Sequence, residues 1–161
     1  MEAITKLLKQ SHVLIDMEVT SKKRLFEQIG ILFENNNQLS RSLVYDALFN
    51  REKLGSTGLG HGFALPHGRF KGLKHPLCAF IRLNSAIPFE SPDSENVKMA
   101  FVLLVPDHAN EHHLKLLSEI AEMFSDDELR HTILSAPSAE VVYETIINWV
   151  PYARRQRSTT I

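Results

Sequence analysis

The chain has a single cysteine among 161 residues, so no intrachain disulfide can brace it. That cysteine, Cys78, sits in an apolar run, where an inert buried thiol is expected. No apolar stretch approaches the length of a membrane span, and MEAITKLLKQ lacks the continuous apolar core of a signal peptide. Both absences point to a cytoplasmic protein with no membrane insertion. Nor is there an excess of one charge: the formal net charge is -1, so no global field recruits nucleic acid or an anionic surface. The chain has neither internal repeats nor a low-complexity linker. What remains, 43% hydrophobic and 23% charged residues, is the composition of an ordinary globular domain. We assign residues 1–150 to one domain and 151–161, with Arg154, Arg155 and Arg157, to a basic tail.

Periodicity predicts helices over 3–9, from a cap at Thr20 or Ser21 to Asn35-Asn36-Asn37, and from Ser40 to about Lys53. Three more are expected over 111–124, 126–134 and 138–149, the middle one opened by a Ser125/Glu128 capping box. Strands are expected at 13–15 and 63–65. LCAFIRL (77–83) and MAFVLLV (99–105) read as central strands covered on both faces. The implied fold class is α/β, a mixed β-sheet flanked by helices on both sides.

Three residues break this pattern. With Leu43 as origin, Leu54, Ala47, Val44 and Leu48 fall at about 20°, 40°, 100° and 140°, and Arg51 at about 80°, inside the apolar stripe. With His113 as origin, Ile120, Phe124, Leu117 and Ala121 fall at about 340°, 20°, 40° and 80°, so His113 also centres an apolar face. His67 follows an apolar strand and Pro66, at a strand end that would line a crevice. Each has an ordinary explanation: a snorkelling arginine, a core histidine, a surface-loop histidine. Together they predict one polar pocket suited to an anion.

The stretch GSTGLGHGFALPHG (55–68) contains neither GxGxxG nor GxxxxGK[ST], and it precedes a strand where those motifs follow one. HExxH, paired cysteines and GxSxG are absent too, so neither a metal site nor a serine hydrolase is indicated, and no cofactor is implied. Phosphoryl transfer through histidine fits better. A neutral imidazole can form a covalent phosphoramidate, while a guanidinium and further N–H donors hold the phosphoryl oxygens.

The run Arg51-Glu52-x-x-Gly55-Ser56-Thr57-Gly58, followed by Gly60-x-Gly62-x-Ala64-x-Pro66-His67 and His113-Leu114-x-x-Leu117, resembles the mannitol/fructose-type IIA domains of the phosphoenolpyruvate-dependent sugar phosphotransferase system. The likeness runs over residues 3 to 150. It implies an α/β sandwich with His67 as phosphoryl acceptor, Arg51 stabilising the group and His113 as second active-site histidine. Ser56, Thr57, Gly58 and Gly68 would support the site. It implies an HPr-like phosphocarrier as donor. Ser21-Lys22-Lys23-Arg24 and IPFESPD resemble the stand-alone nitrogen-regulatory branch, whose targets would be kinases or potassium transport proteins. A transport role, passing the group to a IIB component, and a binding module that is never phosphorylated are the alternatives. Two positions depart from the family: His61 replaces a frequent Asn and Ser94 a frequent Gly, and His61 is expected to alter the titration of the site. Leu59, Phe63 and Phe70 are candidates for an apolar docking rim, ordinary packing being the simpler reading of Phe63.

Overall fold

The computed structural model describes residues 2–108 and 111–151; the tail arginines and the cap expected at Asn110 lie outside them. A six-stranded mixed sheet runs in the order β1 (Val13–Met17), β5 (Leu77–Ile87), β6 (Val97–Pro106), β3 (Phe63–Ala64), β2 (Gly58–Gly60), and β4 (His67–Phe70) also pairs with β6. β5 and β6 are antiparallel, Phe80 opposite Phe101, while β1 joins β5 in parallel. β3 and β4 lie end to end along the other side of β6, both parallel to it.

Alternation along β6 divides the interior in two. Met99, Phe101, Leu103 and Val105 enter a core closed by α1 (Glu2–Leu7), α4 (Glu111–Phe124), α5 (Asp127–Ser135) and α6 (Ala139–Ile147). Ala100, Val102 and Leu104 enter the other, closed by α2 (Lys22–Asn37) and α3 (Arg41–Glu52). The expected α/β architecture with helices on both faces is present. Among the described residues, no helix is long and apolar enough to cross a membrane.

Local chemistry sets the element starts. Ser21 caps α2 by accepting from the Arg24 N–H at 3.2 Å, and Ser40 caps α3 by accepting from Leu43 N–H at 3.4 Å. The Ser125/Glu128 capping box does not form. Asp126 accepts from the Glu128 and Leu129 N–H groups at 3.0 and 3.4 Å, whereas Ser125 Oγ donates back to the Glu122 carbonyl. The cap is one residue later because the Asp126 carboxylate, also held by Trp149 Nε1 at 2.8 Å, reaches the open N–H groups itself.

Two strands escaped the sequence reading. β2 is all but glycine, and β4, His-Gly-Arg-Phe, carries no apolar run; both exist because their backbones pair with a neighbour.

Candidate functional site

His67 opens β4, immediately after the break that Leu65 and Pro66 make between β3 and β4. At that break the ladder to β6 is kept by Pro66, whose carbonyl accepts from Leu103 N–H at 3.0 Å. The Leu65 carbonyl is instead met by His67 Nδ1 at 2.9 Å. A carbonyl only accepts, so Nδ1 carries the proton and Nε2 keeps its lone pair. Burial pushes the His67 pKa below the ordinary imidazole value. The Leu65 bond opposes this, the Arg51 charge adds to it, and the Glu52 carboxylate partly offsets it. The net result is a neutral ring near pH 7 with Nε2 free to attack.

Gly68 brings α3 to this strand. A Cβ there would lie 2.4 Å from the Ala47 carbonyl oxygen, so only glycine lets the helix backbone approach so closely. The last turn of α3 thereby reaches the His67 end of the sheet. Arg51 sits in that turn, and its Nη1 donates to the Gly55 carbonyl at 2.8 Å.

The predicted stripe on α3 is displaced. Leu43 and Leu54 are 56% and 80% exposed, while the buried residues are Val44, Leu48 and Glu52. Arg51 therefore lies at the border of the buried face, half-buried, rather than at its centre. Two exposed leucines pulled the inferred face toward solvent.

His113 approaches from the other side of the sheet. It is buried on α4 along with Leu116, Ile120, Met123 and Phe124. Burial lowers its pKa, and the nearby His112, His108 and Arg69 lower it further.

Arg51, His67 and His113 line one cavity of about 690 Å³ between α3, β4 and the start of α4. Gly68 lines it as well. Ser56, Thr57 and Gly58 do not: they form the turn behind Arg51. Ser56 Oγ donates to the Phe89 carbonyl at 2.6 Å, and Gly58 packs so tightly that a Cβ would lie 2.2 Å from Ser91 Oγ. The backbone amides of this turn are likewise engaged, Gly58 N–H with Ser56 Oγ and Thr57 N–H with Glu52.

The cavity also has a second guanidinium, Arg69, which the sequence reading missed because it lies on an unrecognised strand. The exposed apolar residues at its border are Leu54 and Leu114, 80% and 67% exposed. Of the rim candidates, Leu59 is exposed but does not line the cavity, Phe70 is buried, and Phe63 stacks on Phe124 with centroids 4.2 Å apart.

His61 is not part of the cavity, and the charges that shift His67 are those of Arg51 and Glu52. Its N–H donates to Asp93 at 2.9 Å, which helps hold that carboxyl below its ordinary pKa. His61 and Ser94 have φ values of 57° and 62°, in the left-handed region where Asn and Gly are least strained. Cys78 is buried, with its thiol pushed up to about 12.

Comparison with known proteins accords with this geometry. Residues 6–149 match the family model described as "Phosphoenolpyruvate-dependent sugar phosphotransferase system, EIIA 2". A nitrogen regulatory protein of Pseudomonas aeruginosa is 37% identical over 146 residues, covering 90% of this chain and 95% of that protein. The crystal structure of nitrogen regulatory protein IIA-Ntr from Neisseria meningitidis superposes with a TM-score of 0.84 at 46% identity. It covers 89% of this chain and 99% of that one. Enzyme IIA mannitol of Escherichia coli, solved in complex with phosphorylated enzyme IIB mannitol, shares the fold at 15% identity and a TM-score of 0.72, covering 88% and 98%. The chain belongs to the EIIA 2 family of the phosphoenolpyruvate-dependent sugar phosphotransferase system.

Proposed function

We propose that the protein is a phosphohistidine carrier of the nitrogen-regulatory type, acting in the cytoplasm. The observation that carries the reading is the meeting of Arg51, His67 and His113 at one cavity, with the proton of His67 placed on Nδ1. An HPr-like protein bearing a phosphohistidine is the donor. His67 Nε2 attacks phosphorus while the donor's N–P bond breaks, and the electron pair of that bond stays on the donor imidazole. Nδ1 keeps its proton throughout, and the Leu65 carbonyl stabilises the positive charge that develops on the ring. Arg51 and His113 supply donors to the phosphoryl oxygens in flight.

The phosphoryl group adds negative charge at the cavity mouth, which lets target proteins distinguish the two states. Kinases and potassium transport proteins are the targets the regulatory resemblance suggests. The 37% identical nitrogen regulatory protein, matched almost end to end, favours this branch.

Incubation with phosphoenolpyruvate and the upstream carriers should add one acid-labile phosphoryl group, read by mass spectrometry. Uptake by His67→Ala would place the acceptor elsewhere. Lack of uptake by the wild type, with partner binding unchanged by His67→Ala and His67→Asp, would leave a binding module.

A transport role is the second reading. It is favoured by the fold shared with an enzyme IIA captured with its phosphorylated IIB. Transfer from His67 to a IIB component, and onward to a sugar, would overturn the regulatory assignment.

A further inference from the structure

The cavity does not explain why a carboxylate is buried beside it. Glu52 follows Arg51 at the end of α3 and is only 6% exposed, yet it does not line the cavity. A buried carboxylate is costly unless its oxygens are fully engaged. Here they are. Oε1 accepts from Thr57 N–H at 3.0 Å and pairs with Lys22 Nζ at 2.9 Å, and Oε2 accepts from Thr57 Oγ1 at 2.5 Å. Lys22 lies 4.5 Å from the centroid of the Phe89 ring, and the Phe89 carbonyl holds Ser56 Oγ. Two segments distant in sequence, the first turn of α2 and the 52–58 turn, thus meet on one carboxylate, and the 89–91 loop reaches it only indirectly, through Lys22 and Ser56.

The 52–58 turn contains the Gly55 carbonyl, which accepts from the Arg51 guanidinium. Gly55 has a φ of 154° with nothing near its Cβ position, and its N–H donates to the Glu52 main-chain carbonyl at 3.1 Å, so the backbone path of the turn and not side-chain packing sets where its carbonyl lies. Its position is set by its neighbours, and Thr57, two residues on, is the one fastened to Glu52 through both its N–H and its hydroxyl.

We infer that Glu52 is a positioning residue for phosphoryl transfer, its carboxylate fixing the 52–58 turn so that the Gly55 carbonyl holds Arg51 at the cavity that His67 lines. The inference rests on the phosphohistidine reading above. It adds a residue that touches neither the phosphoryl group nor the partner and acts through Arg51. Lys22 pairs with the buried Glu52 carboxylate at 2.9 Å, linking the Ser21-Lys22-Lys23-Arg24 segment to the site.

The test uses Glu52→Gln, which keeps the shape and removes the charge, and Thr57→Val, which keeps the N–H and removes the hydroxyl. Uptake at saturating donor should fall on the order of tenfold in Glu52→Gln, with half-saturation by donor unchanged, as expected of misplaced geometry. Because Glu52 acts through Arg51, the double variant Arg51→Ala/Glu52→Gln should be no slower than Arg51→Ala alone. Multiplying losses would overturn the inference. A readout independent of transfer is the Arg51 side-chain NMR signal. It should move toward that of a solvated arginine in both Glu52→Gln and Thr57→Val, and stay put in His67→Ala. An unmoved signal in a folded Glu52→Gln protein overturns the inference even if wild-type uptake is intact. A moved signal in a protein that takes up no phosphoryl group supports the positioning link and removes only the carrier reading.

Discussion

The cavity has two walls built on different physics. The α3 wall is fastened by polar bonds and close backbone approach: Gly68 against Ala47, Glu52 on Thr57 and Lys22, Arg51 on Gly55. The α4 wall presents His113 from a helix seated on the core through an apolar face, with Phe124 stacked against Phe63 and Phe80. Polar bonds specify direction, so the guanidinium is aimed. Apolar packing specifies burial, and burial is the first cause of the lowered His113 pKa. One wall should therefore lose chemistry when disturbed, and the other should lose stability first.

Breaking the α4 wall should give the largest effect on folding. Phe124→Ala removes the ring around which Phe63, Phe80 and Phe101 gather, and should cost about 4 kcal/mol in denaturant unfolding. Phe124 is the last residue of α4 and His113 lies in its first turn, so the molecules that remain folded should still accept phosphate at His67. A cost under about 1 kcal/mol would mean the apolar seating has been overrated.

Gly68→Ala should reverse the balance. The added methyl must displace α3 from β4, at about 2 kcal/mol. Phosphoryl uptake should fall more than in Phe124→Ala despite the smaller stability loss, because Arg51 travels with the helix. Equal uptake in the two folded variants would erase the distinction between the walls.

The mildest probe is pH. His67 and His113 both have folded pKa values below the ordinary one, so the unfolded chain binds more protons as pH falls. Stability should be unaffected by these groups above about pH 6.5 and decline below it, levelling off once pH passes under their folded values. His67→Gln and His113→Gln should each flatten part of that decline in pH-dependent urea unfolding. Arg51 helps depress His67, so Arg51→Ala should raise the His67 titration midpoint, followed by NMR, and leave that of His113 in place. A midpoint unmoved by Arg51→Ala would show that the Arg51 charge has no part in setting it.

Much of this was legible in the sequence where a side chain had to violate a pattern. His113 was visible because a titratable group on an apolar face must be neutralised or paired, and His67 because it follows an apolar strand and Pro66 at a strand end. Arg51 was found for a partly mistaken reason: Leu43 and Leu54 shaped the stripe, yet both are exposed. Leu54 borders the cavity, so an apolar residue counted as core belongs to the site's surface. Arg69 and β4 were hidden because a four-residue strand paired by its backbone leaves no periodic trace. Glu52 stood in plain view within the motif. Its engagement depends on Thr57 and Lys22 converging from separate segments, which neither segment alone reveals.

The interruption between β3 and β4 has a consequence for how the site can change over generations. In catalytic centres where a carboxylate side chain orients a histidine, one point mutation can switch which ring nitrogen is reactive. Here the orienting group is the Leu65 carbonyl, which every amino acid at that position would supply. If His67 carries the phosphoryl group as proposed, the regiochemistry of its bond to phosphorus is therefore encoded in the path of the main chain. Replacing Leu65 alters packing but leaves that acceptor in the chain, so reactivity at Nε2 is insulated from drift at the residue that enforces it.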